Sequence, residues 1–352
     1  MSELAEPVSD IVSRKDEHLE VVLSGRGRQA TKTTGFEAFD LVHCALPEID
    51  LADVSTSCRW LERDLAAPLL VSAMTGGPAR AGQVNAAIAE ACEALRIPFG
   101  VGSQRVAVES DGQAGLAGDL RHRAPSVPIL GNLGAAQLLM GYGADEAKRL
   151  VDMIEADCLM VHLNPMQEAM QERGDTNWRG VARRIGALAR ELPCPVGVKE
   201  VGNGLSGTVA RRLRDEGVSI LDVAGAGGTS WTRVEAERNA DPHMRAVAEA
   251  FHDWGIPTTE AVRAVRAAAP DAHVIASGGI RNGVDVAKAI ALGADMAGQA
   301  AATLPAALDG ADALTAHFRI VIDQLRIAMF GAGTRDLNAL RDAEVAAARG
   351  AS

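Results

Sequence analysis

From residue 67 onward, short and continuously apolar runs alternate with longer segments whose apolar residues recur at spacings of three, four and seven. The runs are APLLVSA (67–73), IPFGVGS (97–103), VPILGNL (127–133), CLMVHL (158–163), CPVGVKEV (194–201), ILDVAG (220–225), HVIASGG (273–279) and ADMAGQA (294–300). Between them lie amphipathic stretches such as QVNAAIAEACEAL, WRGVARRIGALARE, GTVARRLRDEG and GVDVAKAIALG. Runs that are apolar at every position, not at alternate ones, suit parallel strands covered on both faces. Eight such strands with helices between them predict an α/β fold, a single (β/α)8 TIM barrel over residues 67–335. Residues 1–66 form an irregular N-terminal extension with one or two short elements, and residues 336–352 form a C-terminal tail.

A barrel of this kind places its chemistry at the C-terminal ends of the strands. The unusual residues of the chain gather there: Met74-Thr75-Gly76-Gly77, Ser103-Gln104-Arg105, Asn132, Lys199-Glu200, Gly227-Gly228-Thr229, Gly278-Gly279-Ile280-Arg281 and Gly298. The densest cluster is HLNPMQE (162–168), which follows the run CLMV with an imidazole, two amides and a carboxylate. Taken singly, His162 reads as a satisfied core histidine; beside Asn164, Gln167 and Glu168 it reads as part of a site. A competing pattern is Gly202-x-Gly204-x-x-Gly207, after a strand and before a helix, with Asp222 twenty residues beyond the first glycine. That is a dinucleotide-binding fingerprint. It accounts for about thirty residues and leaves the other strand ends unexplained.

The loops SGGIRNG (277–283) and ADMAGQA follow the seventh and eighth strands, where barrels commonly bind phosphate through backbone N–H groups and a helix N-terminus. A tight turn needs Gly278 and Gly279 but does not need Arg281, which can add a charge-assisted hydrogen bond. With no metal cage, P-loop or Ser-His-Asp pattern in the chain, an organic cofactor with a phosphate tail is expected, and FMN is the natural candidate. Its ring can lie against Ala73, Met74 and Thr75, within reach of Ser103, Asn132 and Lys199. A cationic Lys199 near the pyrimidine end favours the anionic reduced ring. The alternative for Lys199 is a structural ion pair with Glu200 or another acid.

Composition narrows the class. Of 352 residues, 47% are apolar, 23% charged and 3% aromatic, as in a soluble globular chain with a large core. A net charge of −11 argues against nucleic acid as the main partner. No run approaches the roughly 18 apolar residues of a membrane span, and the polar start MSELAEPVSDIVSRKDEHLE lacks a signal-peptide core. The cysteines at 44, 58, 92, 158 and 194 are odd in number and never spaced as CxxC, which suits reduced thiols in a cytoplasmic protein.

Taken together, RKDEHL (14–19), SAMTGG (72–77), GSQR (102–105), GNLG (131–134), HLNPMQE, VKEVGNGLS (198–206), DVAGAGGTSW (222–231), ASGGIRNG (276–283) and LGA (292–294) resemble the type 2, FMN-dependent isopentenyl diphosphate isomerases. The likeness runs from about residue 14 to about residue 335 and departs from the family after the eighth strand, at GQAAATLP. It implies interconversion of isopentenyl and dimethylallyl diphosphate with FMN, Mg²⁺ and NADPH as reductant, in a homotetramer or homo-octamer. The resemblance implies cofactor contacts at Ala73, Met74, Thr75, Ser103, Asn132, Lys199, Thr229, Gly279, Arg281, Gly298 and Gln299. It implies substrate contacts at Arg14, Lys15, His18, His162, Asn164 and Gln167, and a metal ligand at Glu168. Of these, Gln167, His162, Asn164 and Lys199 are the catalytic candidates.

The reaction explains the demand for such groups. A proton must be added at C4 and another removed from C2 of an unactivated alkene, so reduced FMN as acid and base is the expected shuttle, with no net redox change. A diphosphate wants a hard cation, and one carboxylate plus phosphate oxygens and waters suits Mg²⁺. His162 and Asn164 are expected to donate to the diphosphate, and Gln167 to orient the substrate or relay a proton. Arg14, Lys15 and His18, otherwise a solvated charge run, become an arm that closes on the diphosphate. Trp231 either lines the hydrocarbon pocket or simply packs. Within enzymes the alternative is an FMN-dependent 2-hydroxy-acid oxidoreductase on the same barrel. Its base belongs in a His-Gly-Gly context at a late strand end, and AGAGGTS and ASGGIRN contain no histidine.

Overall fold

The computed structural model describes residues 8–74, 78–105, 119–172 and 174–348. All eight apolar runs become strands of one closed parallel barrel. The extension contributes β1 (Phe39–Leu41) and the hairpin β2 (Cys58–Trp60) and β3 (Arg63–Leu65). The barrel follows as β4 (Leu69–Val71), β5 (Phe99–Gly100), β6 (Ile129–Gly134) and β7 (Cys158–His162). It is completed by β8 (Val196–Lys199), β9 (Ile220–Asp222), β10 (His273–Ala276) and β11 (Met296–Gln299). Each strand pairs with its successor, and β11 closes on β4 through Gly298 and Leu70. A last strand, β12 (Val345–Ala347), runs antiparallel to β1 and ties the C-terminal tail to the N-terminal extension.

Strand parity sorts side chains into two environments. Leu70, Leu130, Met160, Ile220, Ile275 and Met296 point inward and form an apolar layer, closed from below by Trp60 and Leu65 of the β2–β3 hairpin. Their neighbours in sequence point outward against the helices, where Phe99, Leu133, Leu159, Val198 and Phe318 belong to the larger core. Two residues further along each strand the inward positions turn polar: Ser72, Asn132, His162, Asp222 and Ser277, with Lys199 beside them and Gly298 leaving room. The barrel is thus an apolar plug with a polar floor on top.

The amphipathic stretches form helices close to where the periodicity puts them, at Pro78–Leu95, Val181–Glu191, Gly207–Asp215 and Gly283–Ala291. The extension is more ordered than the expected one or two short elements. It includes a 16-residue helix, Val8–Leu23, packed on the helix Trp231–Arg238. That helix is held by contacts with the Trp231–Arg238 helix, and its apolar positions flank a polar centre, SRKDEHLE, so its sequence alone reads as polar.

Candidate active site at the C-terminal mouth of the barrel

The strand ends open into one cleft of about 2360 Å³. That exceeds the roughly 300–1,000 Å³ of an ordinary small-molecule pocket, enough for a cofactor and a substrate together. Most expected site residues line it: Arg14, Lys15, His18, Ala73, Met74, Ser103, Asn132, His162, Asn164, Gln167, Glu168, Lys199, Thr229, Gly279, Arg281 and Gly298. Thr75 lies outside the described residues. Gln299 does not line the cleft. Odd parity on β11 turns its side chain outward, where its Oε1 meets His317 Nε2 at 2.8 Å, so a side-chain contact to a cofactor is not supported.

The loop after β7 is fixed by its own polar groups. Asn164 precedes the short helix Pro165–Met170, which starts on the proline that suits a first helical position. Its Nδ2 donates to Glu168 Oε1 at 2.8 Å and to Gln167 Oε1 at 3.3 Å, while Glu168 Oε2 accepts from the Asp175 N–H at 2.9 Å. Asn164 Oδ1 is buried and has no partner. Burial raises the Glu168 carboxyl above its ordinary range, against the hydrogen bonds from Asp175 and Asn164. Gln167 Nε2 donates to Glu235 Oε1 at 2.8 Å. Glu235 also meets His18 Nε2 at 2.9 Å and Arg238 Nη1 at 3.0 Å, and Arg238 Nε reaches Glu17 at 2.6 Å. These contacts lock the N-terminal helix onto the Trp231–Arg238 helix beside the Gln167 amide. His18 stands edge-on to Trp231, with ring centroids 5.1 Å apart.

His162 departs from its expected role as a donor. Asn132 Nδ2 donates to the Val101 carbonyl at 3.0 Å, which turns Asn132 Oδ1 toward His162 Nδ1, 2.9 Å away. With that orientation the neutral imidazole carries its proton on Nδ1, and Nε2 accepts. Burial pushes the imidazole down to about 3, helped by the Lys199 and Lys15 ammonium groups. His162 can donate to a diphosphate only after taking up a proton, which an incoming dianion would favour. Lys15 itself is lowered to about 8 by burial and by Arg14 and Arg105. Three cations facing one cleft form an anion trap inside a chain of net charge −11.

On the opposite wall, Gly228 and Gly279 press backbone against backbone: a Cβ on Gly228 would stand 2.7 Å from the Gly279 nitrogen. Gly279 has a φ of +73°, which suits glycine. The helix N-terminus expected to join this cradle is largely occupied. Asn282 accepts from the Val284 and Asp285 N–H groups, Gln324 from Gly283, and Asp285 from Arg281. A phosphate here would therefore rely on the glycine backbone and the Arg281 guanidinium more than on the helix.

The dinucleotide fingerprint has a different purpose. Glu200 Oε2 accepts from the backbone N–H groups of Val201 at 2.7 Å, Gly202 at 2.8 Å, Asn203 and Gly204 at 3.2 Å. The nest that would hold a pyrophosphate is filled by the chain's own carboxylate. Lys199 consequently does not pair with the Glu200 side chain; its Nζ donates to the Glu200 carbonyl at 2.7 Å. The residues that sequence reasoning passes over are Glu235, Arg238 and Ser277. Glu235 and Arg238 look like ordinary charges on an exposed helix, and only their tertiary partners distinguish them. Among the described residues no group of three or more His, Cys, Asp or Glu is placed to hold a metal ion, and no helix is long and apolar enough to cross a membrane.

A barrel with a glycine-lined anion cradle and a polar floor is the architecture of the flavin-linked barrel enzymes, and residues 139–347 match the model of the FMN-dependent dehydrogenase family. Solved structures with the same fold include mandelate oxidase with (S)-2-phenylpropionate and a variant of it with benzaldehyde. Each has a TM-score of 0.67, identities are 18% and 19%, and coverage is 97% of this chain and 98% of the other. Far closer in sequence is the isopentenyl-diphosphate delta-isomerase of Xanthobacter autotrophicus, 59% identical over 329 residues, 93% of this chain and 95% of the relative. The isopentenyl-diphosphate delta-isomerase of Stutzerimonas stutzeri is 56% identical over 335 residues, 95% and 97% of the two chains. The chain belongs to the isopentenyl-diphosphate delta-isomerase family, and over residues 139–347 to the FMN-dependent dehydrogenase family.

Proposed function

We propose that this chain interconverts isopentenyl and dimethylallyl diphosphate by a 1,3-proton shift, with FMN across the barrel mouth, Mg²⁺ on the diphosphate and NADPH as the reductant. One observation carries the reading: the Asn164–Glu168 loop, the Lys15 arm and the glycine cradle all face the same cleft. The residues present suit FMN. Ser72 Oγ is buried without a partner beside Gly298, and the close Gly228–Gly279 approach leaves backbone for a phosphate. They also suit Mg²⁺ held mainly by its substrate, because Glu168 is a single carboxylate with an unpartnered Asn164 Oδ1 beside it.

Bound in its reduced state, FMN supplies an electron-rich ring able to give and take back a proton. The chain's own residues do the rest. Arg14 and Lys15 bind the diphosphate, and Glu168 would hold the metal beside it. Gln167, held by Glu235 and Asn164, fixes the alkene end. The N-terminal helix, clamped through Glu17 and His18, excludes water from a cationic transition state. Homotetramer or homo-octamer assembly and a cytoplasmic location complete the proposal; the five cysteines are free thiols, as that compartment would keep them.

The fold-level likeness to mandelate oxidase keeps a 2-hydroxy-acid oxidoreductase as the second reading. The test is purification under mild conditions, a visible spectrum, and product analysis with isopentenyl diphosphate and with 2-hydroxy acids, each with and without Mg²⁺ and NADPH. Isomerisation that needs Mg²⁺ supports the first reading. Oxidation of a hydroxy acid without isomerisation replaces it with the second.

A further inference from the structure

With Glu200 filling the backbone nest, Asp222 has no ribose to bind, yet it is 3% exposed at the top of the barrel interior. Its Oδ1 accepts from Ser277 Oγ at 2.6 Å and from the Ala224 N–H at 3.2 Å; burial raises the carboxyl above its ordinary range, and the Lys199 ammonium and these two donors act against that, toward the ionised form. Asp222 stands directly opposite Lys199 in the β8–β9 register, and both line a small internal cavity of about 10 Å³ with Ser72 and Asn132. Lys199 also lines the main cleft, whereas Asp222 does not. The groups around Lys199 are His162 across β7, Asp222 across β9, and Glu200, whose carboxylate is committed to its own loop. Lys15 adds a second positive charge from the N-terminal helix. Burial favours the neutral amine at Lys199, and Asp222 is the foremost influence opposing it, ahead of Glu200.

We propose that Asp222 is a positioning residue that keeps Lys199 an ammonium in the floor of the cleft, and through it sets the reduction equilibrium of the bound flavin. The proposal rests on the FMN reading above. An ammonium beneath the ring stabilises the reduced, anionic flavin; a neutral amine does not. Removing the Asp222 charge therefore has two opposed consequences. Its own negative field disappears, which favours reduction, and Lys199 surrenders its proton more easily, which disfavours it. Lys199 faces the cleft and Asp222 lies behind it, so the second consequence dominates while the lysine is present.

The flavin reduction equilibrium is measured by dye-coupled titration across the neutral to alkaline range, on FMN-loaded protein. Asp222→Asn, close in shape and still able to accept from Ser277 and Ala224, is expected to shift the equilibrium against reduced flavin at least about tenfold, or about 30 mV for a two-electron couple. The pH at which the fall of the potential steepens should also move lower. In a Lys199→Gln background the same change should have no effect or favour reduced flavin. Ser277→Ala, which leaves the charge and removes one hydrogen bond, should shift the equilibrium in the same direction by less, and it serves as the test if Asp222→Asn does not retain FMN. If Asp222→Asn, or Ser277→Ala in its place, favours reduced flavin or leaves the equilibrium unmoved with Lys199 present, the proposal is overturned while the cofactor reading stands. Wild-type protein that binds no FMN overturns the cofactor reading, and this proposal with it.

Discussion

His162 is half-buried in the floor of the cleft, and its burial, with the nearby Lys199 and Lys15 charges, keeps it neutral in the folded chain down to about pH 3. The unfolded chain titrates it near 6.5 and so binds the extra proton first as pH falls. A depressed histidine contributes stability that is present above 6.5 and is withdrawn as pH drops from there toward 3, by at most about 1.4 kcal/mol per pH unit. His162→Gln should be less stable than wild type at neutral pH, through its lost bond to Asn132. The gap should close as pH falls through that window in urea-unfolding series, and a gap independent of pH would refute the assignment. Glu168 faces the cleft beside the cationic arm, away from the glycine cradle, so Glu168→Gln should weaken Mg²⁺-dependent activity far more than FMN binding. A colourless variant with normal metal dependence would contradict that. His162, Asn164, Gln167 and Glu168 were legible in the sequence because four functional groups in seven residues after an apolar strand are rare. Their hydrogen-bond roles were not, because the Val101 carbonyl that orients Asn132, and so His162, is a contact between strands.

Strands and barrel helices were the most legible elements, since the continuous apolar runs and the amphipathic helical spacing each agree with the layer they occupy. The N-terminal helix was not: it is held by burial of Leu19 and Val21 and by contacts of Glu17 and His18 with Arg238 and Glu235, which lie more than two hundred residues away in the chain. The same helix places Arg14 and Lys15 over the cleft. Arg14→Ala or Lys15→Ala should mainly raise KM, since one charge-assisted hydrogen bond contributes roughly 1.5–3 kcal/mol, or about 10- to 150-fold. Unchanged kinetics in both would return the segment to a solvated charge run. Lys15 adds a pH signature. It is a cation below about 8 and loses its proton above it, so KM should climb as pH rises through that value. Lys15→Arg should hold KM flat across the same range; a parallel climb in the arginine variant would assign the effect elsewhere.

At the scale of the whole molecule, one barrel serves both a family of oxidising flavoenzymes and this chain's own family, so fold alone does not choose between hydride transfer and proton transfer. The choice lies in what surrounds the ring. The late strand ends, which in an oxidase would present a base, carry glycines here, while the polar equipment sits after β7 and on the N-terminal arm. On the proposed reading, a site that holds a diphosphate and shields a cation has no net electrons to dispose of. NADPH should therefore be needed only to bring the enzyme into its reduced state, and many product molecules should form for each NADPH oxidised. In D₂O, starting from isopentenyl diphosphate, deuterium should enter the methyl group formed from C4, and under anaerobic conditions the flavin spectrum should stay reduced throughout turnover. Chemically reduced enzyme with no nicotinamide separates the two chemistries most directly. An isomerase continues to equilibrium, whereas an enzyme that spends a hydride per cycle stops after a single turnover. Consumption of NADPH in step with product would transfer the chain to the oxidoreductases that share its barrel.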